Sequence, residues 1–134
     1  MTQQRFTFKP IEKLKSAKLI GQIFKEGQSF SYYPFRVIFI FPEKNKSFLQ
    51  AAFSVSTKNF KKSVDRNRIK RLIREAYRLQ KNSLQKKLAQ NQNHLVIFII
   101  YTGNELPVYD SVYYKIGGLL ERIEKIISNN DDKK

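Results

Sequence analysis

Between Val64 and Lys81 the chain reads VDRNRIKRLIREAYRLQK. Ile69, Leu72, Ile73, Ala76 and Leu79 recur at helical spacing, which predicts one helix with a single apolar stripe. Arg66, Lys70 and Arg74 stand four residues apart and are expected on the opposite side, where Asn67, Arg71 and Arg78 widen the row and Lys81 extends it. Arg68, seven residues before Glu75, is expected on the same side as that carboxylate.

The other elements follow from the same alternation. Ser16 can cap a helix over Ala17–Glu26 that Gly27 ends, with Leu19, Ile20, Ile23 and Phe24 on one face. FRVIFIF, Phe35 to Phe41, reads as a strand stopped by Pro42, and Phe48 to Ser56 as a second strand. The two are expected to pair as an antiparallel hairpin. Arg36 interrupts the first strand: either it lies at a strand end in solvent, or it points into a groove that faces RNA, with solvent the favoured reading. In Asn82–Asn93, Leu84 and Leu88 can prolong the central helix, and Gln90–Asn93 reads as a loop. Leu95–Tyr101 is apolar on both faces, which predicts a central strand. Asp110 or Ser111 can cap a last helix that turns Val112, Ile116, Leu119, Leu120, Ile123, Ile126 and Ile127 inward. Gly117-Gly118 weakens that helix for no reason the pattern supplies. The order helix, strand, strand, helix, strand, helix predicts an α+β fold, a two-layer sandwich, in one domain over residues 1–134. Residues 1–15 are expected as a basic extended arm, and 128–134 as a polar tail.

Composition narrows the function. Hydrophobic residues make up 41%, with eleven Phe and seven Tyr, enough for a real core. There is no cysteine, hence no thiol nucleophile or thiolate metal site. The first ten residues, MTQQRFTFKP, lack the apolar segment of a secretory signal, and the longest apolar runs are too short to span a bilayer. A cytoplasmic protein is expected. The formal charge is +15, and it is focused: Lys58–Lys87 carries twelve Lys or Arg against Asp65 and Glu75. A basic helix face is ordinarily just solvated. Cations this dense on adjacent turns repel one another, and a focused patch is the footprint of a polyanionic partner.

Arg66-Asn67-Arg68, Lys70-Arg71 and Arg74-Glu75 on one helix, entered from Phe53-Ser54-Val55-Ser56 through Lys58 to Ser63-Val64, resemble the signature region of the bacterial ribonuclease P protein component. The likeness covers about twenty consecutive positions of this chain, with matching elements on both sides. It departs where a glycine is usual before the motif, since Lys61 stands there, and at Lys13, where Arg is frequent.

That resemblance implies a third strand lying parallel in the sheet and a left-handed crossover through the basic helix, as in a ribosomal-protein-type second domain. It implies the protein subunit of an endoribonuclease that removes the 5′ leader of precursor tRNA. Catalysis would belong to the RNA subunit with its Mg²⁺. The protein, a monomer with one copy per RNA, would bind that RNA and the leader. The RNA-facing set carried over is Arg66, Asn67, Arg68, Lys70, Arg71 and Arg74. Of these, Arg66, Lys70 and Arg74 are expected nearest the leader cleft with Phe24 of the first helix, and Asn67, Arg68 and Arg71 nearer the RNA subunit. Lys13, Lys15, Lys58, Lys61 and Lys62 are secondary basic contacts.

The residues show no equipment for cleavage by the protein itself. The eleven acids are scattered, and no Walker loop, GxGxxG or zinc spacing occurs. The one histidine, His94, has no evident catalytic partner and reads as structural. The competing readings are a ribosomal or general RNA-binding protein without a processing role and, more remotely, a helix-turn-helix DNA binder, which would need a short helix where a strand is expected.

Overall fold

Leu95–Tyr101, with no charged residue and five aliphatic side chains, has strand neighbours on both sides, and the rest of the molecule is layered around it. The computed structural model describes residues 8, 12–43, 45 and 47–132. In chain order the elements are α1 (Ala17–Glu26), β1 (Gln28–Tyr32), β2 (Phe35–Ile40), β3 (Leu49–Val55), α2 (Ser63–Gln80), α3 (Asn82–Asn91), β4 (Leu95–Tyr101) and α4 (Tyr109–Asp132).

The sheet order is β1-β2-β4-β3. β4 runs antiparallel to β2 and parallel to β3. The α+β sandwich, the central place of Leu95–Tyr101 and its parallel partner are therefore as expected. The expected hairpin of Phe35–Phe41 with Phe48–Ser56 is not: β4 lies between those strands. A strand apolar on both faces takes the most buried slot, and chain proximity yields to burial. The hairpin that forms is β1–β2, closed at Tyr33-Pro34, with Ser31 opposite Arg36 and Ser29 opposite Ile38. β1 carries little hydrophobic signal because QSFSY is mostly polar, although Phe30 and Tyr32 alternate with serines.

Alternation along the strands divides the apolar residues between two faces. Phe35, Val37, Phe39, Leu49, Ala51, Val55, Leu95, Ile97 and Ile99 meet α2, α3 and α4 in the main core. Ile38 and Val96 point the other way and are covered by Leu14 and by Ile23 of α1. Ser16 caps α1 as expected, its Oγ accepting from Leu19 N at 3.3 Å. Gly27 follows α1 because a Cβ there would run into the carbonyl of Ile23.

The glycines that sequence left unexplained allow close approach. A Cβ on Gly117 would strike the amide of Gln80 on α2, and one on Gly118 would strike the hydroxyl of Tyr32 on β1. α4 starts at Tyr109, ahead of the expected cap, and continues through Ser128–Asp132, where a polar tail was expected. α3 is a helix of its own after a break at Lys81, and it includes Gln90 and Asn91. Of the expected arm, residues 1–7 and 9–11 lie outside the described residues. What is described lies on the β3 edge: Lys13 bridges to Ala51, and Leu14 N donates to Ala51 O at 2.9 Å.

Candidate nucleic-acid interface

α2 owes its position to Ile69, Ile73, Ala76 and Tyr77, all fully buried. Tyr77, absent from the predicted stripe, packs edge-on against Phe53 of β3 and Phe8, while Leu72 and Leu79 are only half-buried. At 100° per residue this burial places Asn67, Arg71 and Arg78 outward, with Arg68 and Arg74 on the two shoulders. Asn67, Arg71 and Arg74 are exposed, as is Arg68 beside them. Arg66 and Lys70 are half-buried. They stand on the flank nearest Tyr77 rather than opposite the apolar stripe, so the expected row of Arg66, Lys70 and Arg74 is rotated toward the β3 edge.

Arg66 has a second task. Its Nη1 donates to the carbonyls of Phe60 (2.8 Å) and Lys61 (2.9 Å). Phe60 is buried against Tyr101, and Asn59 Nδ2 donates to the carbonyls of Thr102 (3.1 Å) and Gly103 (3.2 Å). The loop Thr57–Lys62 is thereby fastened at three points, with Lys58, Lys61 and Lys62 left exposed around the start of α2. Of the remaining secondary candidates, Lys15 is exposed, and Lys13 is half-buried with its Nζ 5.7 Å from the ring centre of Phe8.

Two basic residues of the helix are spent on structure. Lys81 was expected to extend the charged row. It is instead buried, its Nζ 2.5 Å from Glu12 Oε1. The sequence could not show this, because Glu12 lies 69 positions away. Arg78 grips Glu75 through Nε and Nη2 at 3.1 and 2.5 Å. Those hydrogen bonds hold the Glu75 carboxyl below the usual range and raise the Arg78 guanidinium. Among the described residues, Arg66, Arg68, Lys70, Arg71 and Arg74 form no ion pair. That leaves a cationic ridge on a rigid helix without internal neutralisation.

Phe24 is elsewhere. It is 55% exposed on α1, its ring centre 5.2 Å from that of Phe98 on β4, on the sheet face opposite α2. Beyond it the register aligns Ser31, Arg36, Ile100 and Ser54 across the sheet. Arg36 and Ser31 are exposed there, and Ile100 and Ser54 half-buried. The structure does not bring Phe24 together with Arg66, Lys70 and Arg74: the sheet separates them. His94 lies below its strand, stacked on Phe48 with Nδ1 3.2 Å from Ser47 O. Among the described residues no group of three or more His, Asp or Glu side chains gathers as a metal site.

Comparison with known proteins decides the family. The family model described as Ribonuclease P matches residues 8–124. The chain belongs to the ribonuclease P protein family. The ribonuclease P protein component of Porphyromonas gingivalis (strain ATCC 33277) is 37% identical over 102 residues, covering 75% of this chain and 74% of the relative. That of Chlorobium phaeobacteroides is 31% identical over 123 residues, covering 84% of each. The RNase P protein of Staphylococcus aureus superposes with a TM-score of 0.59 at 27% identity, over 87% of this chain and 94% of that one. The Thermotoga maritima protein gives 0.59 at 26% identity, over 83% and 96%. Membership makes this chain a subunit of an endoribonuclease that acts in tRNA processing as a ribonucleoprotein. Its partners are accordingly the ribonuclease P RNA and a tRNA substrate.

Proposed function

We propose that the ridge of α2 docks the catalytic RNA subunit while the opposite sheet face, bordered by Phe24, receives the 5′ leader of precursor tRNA. The observation that carries this is the run Arg68, Arg71 and Arg74, exposed and unpaired among the described residues on a helix whose other side is fixed in the core. Guanidinium groups bind phosphate with a planar fork and stack on bases. Fixed cations relieve the repulsion between two large RNAs and release their counterions. The leader face offers different chemistry. Phe24 and Phe98 present ring surface, Arg36 a charge, and Ser31 and Ser54 small hydroxyls. Unpaired bases stack on such rings with little sequence preference.

In this reading bond cleavage belongs to the RNA subunit, which also holds the Mg²⁺. The protein contributes substrate affinity and charge neutralisation, as one monomer per RNA in the cytoplasm. The test is reconstitution with a bacterial ribonuclease P RNA at low Mg²⁺. Stimulated leader removal is expected. RNA binding without stimulation would favour a general RNA-binding role, and cleavage by the protein alone would overturn the assignment of chemistry to RNA.

A further inference from the structure

The α2 ridge does not end at Arg78. Where α4 begins, Tyr109 and Tyr113 stand beside it, ring centres 6.1 Å apart and inclined at 45°. Gln80 on α2 donates its Nε2 to the carbonyl of Tyr113 at 2.9 Å, which fixes the backbone of that turn to the basic helix. Tyr109 is half-buried against the core, whereas Tyr113 is 40% exposed. Tyr109 lies within electrostatic reach of both Glu75 and Arg78. The bidentate grip of Glu75 neutralises Arg78 and fixes its guanidinium.

We propose that Tyr109 and Tyr113 form a stacking platform for unpaired bases of the RNA that docks on Arg71 and Arg74. This deepens the reading of α2 as the RNA-docking helix, and it rests on that reading. Division of labour follows from the chemistry. Arg71 and Arg74 are unpaired cations suited to phosphate. Arg78 is held by Glu75 and belongs to the structure of the helix. The tyrosines offer ring surface on a turn held by two helices, so little freedom is lost on stacking. An RNA occupant is favoured over a protein one because the patch continues the unpaired arginine row. Tyr114, 75% exposed on the outward side of α4 with the exposed Asp110 and Glu121, has no cation of that row beside it and is left out.

The test uses the full chain and a bacterial ribonuclease P RNA. Tyr113→Ala is expected to weaken binding by about 5- to 100-fold with the slope of log affinity against log salt unchanged. Tyr113→Phe should bind as the parent does, because stacking needs the ring and not the hydroxyl. The chain has no tryptophan, so Tyr113→Trp supplies a single reporter. Its fluorescence should be quenched on RNA binding with affinity retained. Parent-like affinity of Tyr113→Ala, or an unquenched Tyr113→Trp, would overturn the platform while leaving the α2 reading intact. So would a Tyr113-dependent dimer of the free protein in sedimentation. A salt slope shallower by about one unit in Arg71→Ala and in Arg74→Ala identifies the docking helix separately. If the parent chain itself fails to bind, the underlying reading fails.

Discussion

Glu12 and Lys81, 69 positions apart, form a buried ion pair at 2.5 Å that fastens the N-terminal segment to the junction of α2 and α3. Gln85 Nε2 donates to the same Glu12 oxygen at 2.5 Å. Desolvating two charges offsets most of their attraction, but removing one leaves the other buried without this counter-ion. Glu12→Ala or Lys81→Ala should each cost about 3–5 kcal/mol in urea unfolding, whereas Glu12→Leu with Lys81→Met should recover most of that loss. Single variants that cost no more than the pair would show that the bridge is dispensable. Lys81→Ala should also leave the salt slope of RNA binding unchanged, since its ammonium does not face solvent.

The Tyr77 hydroxyl lies beside that bridge, buried, with no hydrogen-bond partner among the described residues. Burial first, and the charge of Glu12 second, push its pKa well above the ordinary 10.0. The folded chain keeps this proton after the unfolded chain has released its own. The resulting stability is complete below pH 10 and is lost as pH rises past it. By pH 11 the parent should lose about 1.4 kcal/mol more than Tyr77→Phe does. At pH 7 Tyr77→Phe should be neutral or stabilising by about 1–3 kcal/mol, because no bond is broken. A destabilised Tyr77→Phe at pH 7 would mean the hydroxyl is satisfied after all.

The ridge and the flank of α2 should separate in their variants. Arg71→Ala should leave stability within about 0.5 kcal/mol of the parent and make the RNA salt slope shallower by about one unit. Lys70→Ala should likewise lower the slope by about one unit. Arg66→Ala releases two loop carbonyls, so stability should fall by about 1–2 kcal/mol with the slope altered no more than by Arg71→Ala. Equal melting temperatures for the Arg66 and Arg71 variants would contradict the fastening role.

On the opposite face, Phe24→Ala should weaken binding of leader-bearing precursor tRNA by about 1–3 kcal/mol and leave mature tRNA unaffected. More than half of Phe24 is already in solvent, so unfolding should change less than affinity does. A stability loss without an affinity loss would make Phe24 a core residue only.

What was legible in the sequence was local. Periodicity found α2, the cap at Ser16 and the buried strand at Leu95–Tyr101, because each depends on neighbours within a few positions. The charge count located the ridge. What it missed was set by distant partners. Lys81 reads as one more surface cation until Glu12 is brought to it. β2 and β3 read as a hairpin until a more apolar strand claims the slot between them. The family resemblance supplied the parallel third strand, which spacing alone did not. Phe24 and the row Arg66, Lys70 and Arg74 share an expected role, yet the sheet lies between them.

Affinity cleavage from position 67 tests most directly whether the outward side of α2 faces the RNA subunit. The chain has no cysteine, so Asn67→Cys gives a unique attachment point for an iron chelate, and Glu121→Cys on the exposed side of α4 gives the control. Bound to a bacterial ribonuclease P RNA, the probe at 67 should cut the RNA backbone at a few discrete positions, and the probe at 121 should cut weakly or not at all. Discrete cleavage from 121 with none from 67 would contradict the account.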